Sequence, residues 1–186
     1  MNKGWVFIGP DGSSTPIDVP HTWNNLDGQD GGNDYWRGTC VYEKAFPRPD
    51  FGPDQRVYLE FQGVNASAKV ELNGTEVGTH DGGYSTFRWD VTDLLKEENQ
   101  LTVHADNSRN DRVYPQKADF TFYGGIYRDV SLIVVHKRHF DLDHFGGSGL
   151  KVTAKPVDNY TRGELVVDTR RNCEEGQVHI AIQDAA

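Results

Sequence analysis

The chain has 186 residues, enough for one large domain or one domain plus part of a second. Charged residues make up 25% and hydrophobic residues 36%, which excludes a disordered polymer and fits a water-soluble fold. The formal net charge of −9 disfavours binding to phosphate backbones or anionic lipid, leaving neutral ligands unpenalised.

No apolar run approaches the roughly 20 residues that span a bilayer, and Met1–Trp5 does not lead into the apolar core of a signal peptide. The location is expected to be periplasmic or secreted if a leader was removed, and cytoplasmic otherwise. Cys40 and Cys173 are too few for a disulfide framework and match no metal-ligand spacing, so both read as structural. The 7 histidines show no paired spacing that recommends a metal site.

In chain order, the first predicted strand is Trp5-Val6-Phe7-Ile8. In Arg56–Phe61, Val57, Leu59 and Phe61 share one face while Arg56, Tyr58 and Glu60 share the other, the two-residue period of a strand. Ala68–Leu72 repeats the alternation and runs into Asn73-Gly74, a dipeptide suited to a type I′ hairpin turn because both positions need positive φ. Glu76-Val77-Gly78 is the returning strand. Val91–Lys96 is the one segment expected to hold a helical turn. Leu101–Ala105 and Asp129–Val135 complete an antiparallel sandwich of jelly-roll type.

The texture changes around Val135–Leu150, where Lys137-Arg138-His139 reads as a linker and Phe145–Gly149 as a turn. Three further strands are predicted at Leu150–Ala154, Glu164–Asp168 and Gln177–Ile182, with Val152, Ala154, Leu165, Val167, Val178, Ile180 and Ile182 forming their apolar faces. An immunoglobulin-like sandwich needs about seven strands. The expectation is therefore a piece of a longer protein that stops within its second domain, with residues 1–136 forming the first domain and 137–186 the start of the next.

Two segments break the strand pattern and concentrate aromatic and charged residues. One runs from Pro20-His21-Thr22-Trp23-Asn24 to Asp34-Tyr35-Trp36-Arg37-Gly38. The other runs from Asp106-Asn107 through Asp119-Phe120-Thr121-Phe122-Tyr123-Gly124-Gly125 to Asp129. Long loops on a rigid sandwich are where binding residues gather. Sugars offer hydroxyls to Asp and Arg and apolar C–H faces to aromatic rings, which Trp23, Tyr35, Trp36, Phe120, Phe122 and Tyr123 beside Asp34, Arg37 and Asp119 would supply. The same composition also suits loops locked by aromatic packing and ion pairs, so the residues alone leave both readings open. Gly82-Gly83 and Gly124-Gly125 read as positions of positive φ or close backbone approach. Asn65-Ala66-Ser67 and Asn159-Tyr160-Thr161 fit the glycosylation pattern but carry little weight.

These segments also carry a family resemblance. Gly4-Trp5-Val6-Phe7, Val19–Asn24, Tyr35–Gly38, Phe61–Asn65, Leu72–Gly74, His80–Phe87, Asp106–Ser108 and Asp119–Val130 resemble, in order, signatures of the family 2 glycoside hydrolases. The resemblance implies a galactose-binding-domain-like jelly roll followed by the incomplete start of an immunoglobulin-like β-sandwich. In the family, the general acid and nucleophile sit on a downstream (β/α) barrel. No motif of theirs occurs in this chain, so the chain alone is expected to be inactive and to have no catalytic residue of its own. Whether it is itself an enzyme stays open.

By the same resemblance, Asp119 takes the position of an aspartate that binds glycone hydroxyls and, in some members, sodium. Asp34 and Arg37 are candidate substrate-binding residues, with a structural ion pair as the competing role. His21 and Trp23 are expected to be structural, His21 hydrogen-bonded and Trp23 buried. The implied activity is a retaining exo-glycosidase acting on terminal β-galactosides, or a β-glucuronidase, to which this part contributes one wall of the glycone subsite. Alternatives are a free-standing carbohydrate-binding module and a purely structural or oligomerisation domain. No cofactor is expected within this part, with a sodium or magnesium ion in the parent enzyme. Expected partners are the carbohydrate substrate, the downstream barrel and, through exposed strand edges, a second copy of the chain; nucleic acid and membranes are not expected.

Overall fold

The computed structural model describes residues 1–27, 36–115, 118–144 and 146–183. In chain order the strands are β1 (Trp5–Ile8), β2 (Ser14–Ile17), β3 (Thr39–Pro47), β4 (Gln55–Phe61), β5 (Ser67–Leu72), β6 (Thr75–Asp81), β7 (Phe87–Asp90), β8 (Glu98–Asp106), β9 (Val130–His136), β10 (Leu150–Val157) and β11 (Arg162–Thr169). The helical turn expected in Val91–Lys96 is a short 3₁₀ turn, Thr92–Leu94. The fold is all-β.

Two sheets face each other. One is six-stranded in the order β2-β1-β3-β8-β5-β6, and the other is three-stranded in the order β7-β4-β9. All the pairings within them are antiparallel. This gives each sheet one face for the core and one for water. The alternation read in β4, β5 and β8 decides which is which. Val57, Leu59 and Phe61 from one sheet meet Val70, Leu72, Leu101 and Val103 from the other, all but fully buried. Trp5 closes one flank of this core, its indole Nε1 donating to the Met1 carbonyl at 2.9 Å. Cys40 lies buried in β3 as a free thiol.

The β5–β6 turn is as the sequence predicts: Asn73 and Gly74 both have positive φ, 55° and 79°. Asn73 adds a local lock, its side-chain amide donating to the Leu94 carbonyl at 2.8 Å. The short strands β2 and β7 and the longer β3 were not among the strands read from the sequence. β2 holds Pro16 and lies at the sheet edge, where a missing N–H costs no ladder bond.

Beyond β9, residues 141–144 and 146–147 lie against the three-stranded sheet. Arg88 holds them there: its guanidinium pairs with Glu60 at 2.5 Å and also donates to the carbonyls of Leu142 at 3.2 Å and Gly147 at 2.6 Å. β10 and β11 then form a separate two-stranded sheet, with Val152 opposite Val167 and Ala154 opposite Leu165, the apolar face expected from the sequence. The third expected strand is not formed. Gln177–Ile182 has no strand pairing, although its alternation is as regular as that of β10. Alternation orients side chains, but a strand also needs a partner for its backbone groups, and this segment finds none among the described residues.

Candidate functional site

The aromatic loops meet at one end of the sandwich. They are the β2–β3 connection, the stretch just after β4, and the long β8–β9 connection. Their junction is built from three buried asparagines. Asn24 donates its side-chain amide to the Asp27 carboxylate at 2.7 Å and the Trp36 carbonyl at 2.8 Å, while its side-chain oxygen accepts from the Gly124 N–H at 2.7 Å. Asn107 donates to that same Asn24 oxygen at 3.1 Å, and its own oxygen accepts from the Gly38 N–H at 2.9 Å. Asn65 donates its side-chain amide to the Tyr123 carbonyl at 2.8 Å and exchanges two backbone bonds with Gly125. One amide side chain offers two donors and an acceptor, so each asparagine can satisfy two strands of loop that would otherwise bury orphan backbone groups.

The glycines belong to the same junction. A Cβ on Gly124 would lie 2.1 Å from the Trp23 ring, and Gly125 has φ of 118° with the Tyr42 hydroxyl and the His21 carbonyl pressed against it. Only glycine fits there. His21 is hydrogen-bonded as expected, its ring Nδ1 lying 2.9 Å from the Tyr42 hydroxyl, and burial lowers its pKa from the ordinary value of 6.5. Trp23 departs from expectation. It is half-buried rather than buried, because it packs on Phe7 and Trp36 at the rim of the sandwich rather than inside it.

On this frame Asp119 stands exposed in the β8–β9 connection. Phe120 beside it is exposed, and its ring lies 5.1 Å from that of buried Phe122. Arg37, also exposed, reaches across from the β2–β3 connection and sets its guanidinium 5.2 Å from the centroid of Phe122. The structure thus brings the Arg37 loop onto the segment that carries Asp119. Asp34 and Tyr35 lie outside the described residues. Trp36, Phe120 and Tyr123 expose ring surface at this end, whereas Phe122 spends its ring on the loop packing.

Among the described residues no three His, Cys, Asp or Glu side chains converge. Among the described residues no helix is long and apolar enough to cross a membrane.

Residues 25–142 match the family model described as glycosyl hydrolase 2 galactose-binding domain-like. The chain belongs to glycoside hydrolase family 2. It is 42% identical over 140 residues to a β-glucuronidase of Bacteroides fragilis, covering 72% of this chain and 20% of that protein. A β-galactosidase of Thermoanaerobacter pseudethanolicus is 29% identical over 144 residues, covering 75% of this chain and 19% of that one. Among solved structures, the FMN-binding β-glucuronidase from Facaelibacterium prausnitzii L2-6 superimposes with a TM-score of 0.85 at 42% identity, over 92% of this chain and 27% of that one. The chain spans about a fifth of the length of the curated relatives it matches.

Sequence reasoning picked out the loops of this family 2 domain but not the asparagines that join them. Asn65 reads from the sequence as part of a family signature and of a glycosylation pattern, yet its side chain is buried and its amide is spent on Tyr123. Asn24, Asn65 and Asn107 each lie in a loop signature, and nothing in one sequence marks a polar side chain as buried. That depends on which segments meet in space.

Proposed function

We propose that this chain is the non-catalytic amino-terminal part of a retaining exo-glycosidase and that its aromatic loops form one wall of the glycone subsite. The observation that carries the reading is the asparagine junction. Three buried amides hold the stretch around Tyr123 and Gly124, which follows exposed Asp119, against the loop of exposed Arg37, with open aromatic surface at the same end of the sandwich. In the proposed role Asp119 accepts charge-assisted hydrogen bonds from glycone hydroxyls, and Phe120, Tyr123 and Trp36 offer rings to apolar sugar faces or to the aglycone. The general acid and the nucleophile, about 5–5.5 Å apart in retaining enzymes, belong to a downstream barrel.

The terminal sugar is a β-glucuronide or a β-galactoside. The 42% identity to a protein named β-glucuronidase supports the first, and Arg37 would give a uronate carboxylate a cationic neighbour. The resemblance of Asp119–Val130 to the β-galactosidase branch supports the second.

The deciding experiment is Asp119→Ala in the full-length enzyme, assayed on aryl β-glucuronide and aryl β-galactoside. Loss of a hydroxyl bond to a charged acceptor is expected to lower kcat/KM on the true substrate by about 10- to 100-fold. Unchanged kinetics would remove Asp119 from the subsite and leave a structural or oligomerisation role.

A further inference from the structure

A second candidate binding surface lies on the outer face of the six-stranded sheet, beside the β8–β9 connection but separate from Asp119. It is a groove of about 770 Å³, within the range of small-ligand sites. The strand register sets its floor. Thr39, Asp106, Ser67 and Asp81 form one cross-strand row, and His104, Lys69 and Thr79 lie in the next. The period of two turns all of these away from the core, while their neighbours Cys40, Ala105 and Ala68 point into it.

Residues 108–112 build a fixed wall along this floor. The Ser108 N–H donates to the Asp106 carboxylate at 2.7 Å, Asn110 reaches Ser67 Oγ and Asp81 Oδ1 at 3.0 Å each, and Arg112 Nε meets Asp81 Oδ2 at 2.7 Å. The groove is therefore preformed, and a ligand need not bear the cost of ordering the loop.

Its charges cancel locally. Arg112 pairs with Asp81, Arg109 with Asp111 at 3.3 Å, and Lys69 with Glu71 at 2.7 Å. A phosphate or sulfate would meet Asp81, Asp106 and Asp111 in the same groove, and an apolar ligand would find polar or charged residues at every lining position but Ala68. What remains is a row of hydroxyls and an imidazole that both donate and accept hydrogen bonds, with carboxylates that accept them, at the spacing of adjacent strands, about 4.8 Å. A polyhydroxylated, uncharged chain matches that pattern.

We propose that this groove binds a neutral oligosaccharide, at a site distinct from the glycone wall and independent of it. The ligand lies across β3, β8, β5 and β6, its hydroxyls bonded to Thr39, Asp106, Ser67, His104 and Lys69. The ion pairs of the wall stay intact.

The test uses the 186-residue chain itself, screened on an array of neutral oligosaccharides and then titrated with the best of them while amide chemical shifts are followed. Binding with shifts centred on Ser67, Lys69, His104 and Asp106 is expected. It should weaken at least about tenfold in His104→Ala and in Lys69→Ala, the loss of one hydrogen bond to a charged or polar group, and survive Asp119→Ala. Both groove variants change outward-facing side chains, and an unchanged thermal midpoint shows that they fold. Silence across the array overturns the proposal, as does binding that the groove variants leave intact or that Asp119→Ala abolishes. Because the glycone wall is tested by turnover in the full-length enzyme, either reading can fail without the other.

Discussion

The two-sheet sandwich and the β10–β11 hairpin use the same sequence device to opposite effect. In β4, β5 and β8 alternate apolar residues such as Leu59, Val70 and Val103 are at most 1% exposed. In the hairpin Val152 alternates just as regularly and is 56% exposed, and in the tail beyond it Ile182 reaches 80%. Alternation assigns a face to a strand. It does not supply the second layer that buries that face, and burial is where the stability comes from.

The largest expected effect sharpens this contrast directly. Leu101→Ala, under the facing sheet, should destabilise the sandwich by about 3 kcal/mol, since it removes buried methyl groups and leaves a cavity. Val152→Ala on the open face should cost less than about 0.5 kcal/mol. Urea midpoints of the two variants measure the difference, and equal losses would mean that the hairpin face is covered in solution.

Next in size is Asn107→Ala. It leaves the Gly38 N–H and one lone pair of the Asn24 oxygen without their partner, at a cost of about 1–3 kcal/mol. Hydrogen exchange should quicken at Gly38 and Gly124 while the amides of β4 stay protected. A uniform rise would instead mark global destabilisation and deny the junction a local role.

The open apolar face should also show in association. Light scattering at rising concentration is expected to detect self-association that Leu165→Ser reduces. A strict monomer in the parent chain would count against the exposed face as a contact surface.

The smallest effects concern titratable groups inside the sandwich. Burial pushes the Cys40 thiol up to about 11, so an alkylating reagent at neutral pH should modify half-exposed Cys173 and spare Cys40 until the sandwich unfolds. The folded-state pKa of His21 lies below its unfolded value of 6.5, with burial the cause. Between those two values the unfolded chain binds more protons, so His21 contributes stability above pH 6.5 that is lost as pH falls through the window. His21→Gln should flatten that part of the stability curve. An unaltered slope would place the pH dependence elsewhere, with His80, similarly lowered by burial, as the first alternative.

Much of the sandwich was legible because its signals are local. The period of two in Arg56–Phe61 and Ala68–Leu72, and the Asn73-Gly74 turn, are set by side-chain sterics over a few residues. The glycine pairs were legible for the same reason, since few other residues tolerate Gly125's φ. The candidate site was legible only as two loops rich in aromatic and charged residues. That Arg37 stacks on Phe122, that Trp23 sits at a rim, and that Asn24 touches Asn107 are facts about segments far apart in the chain.

By itself, then, the sequence determined the core strands β1, β4, β5, β8 and β9, the inward faces of β4 and β5, the main hairpin turn and the family, because each is written in short patterns with a steric or packing cause. Only the tertiary structure decided three further matters. Asn24, Asn65 and Asn107 became buried joints rather than surface polar residues. Thr39, Ser67, His104 and Asp106 came to line one groove. The alternation in Gln177–Ile182 produced no strand. Each depends on what lies opposite a residue in space, and a hydrogen bond or a buried face exists only when that partner is present.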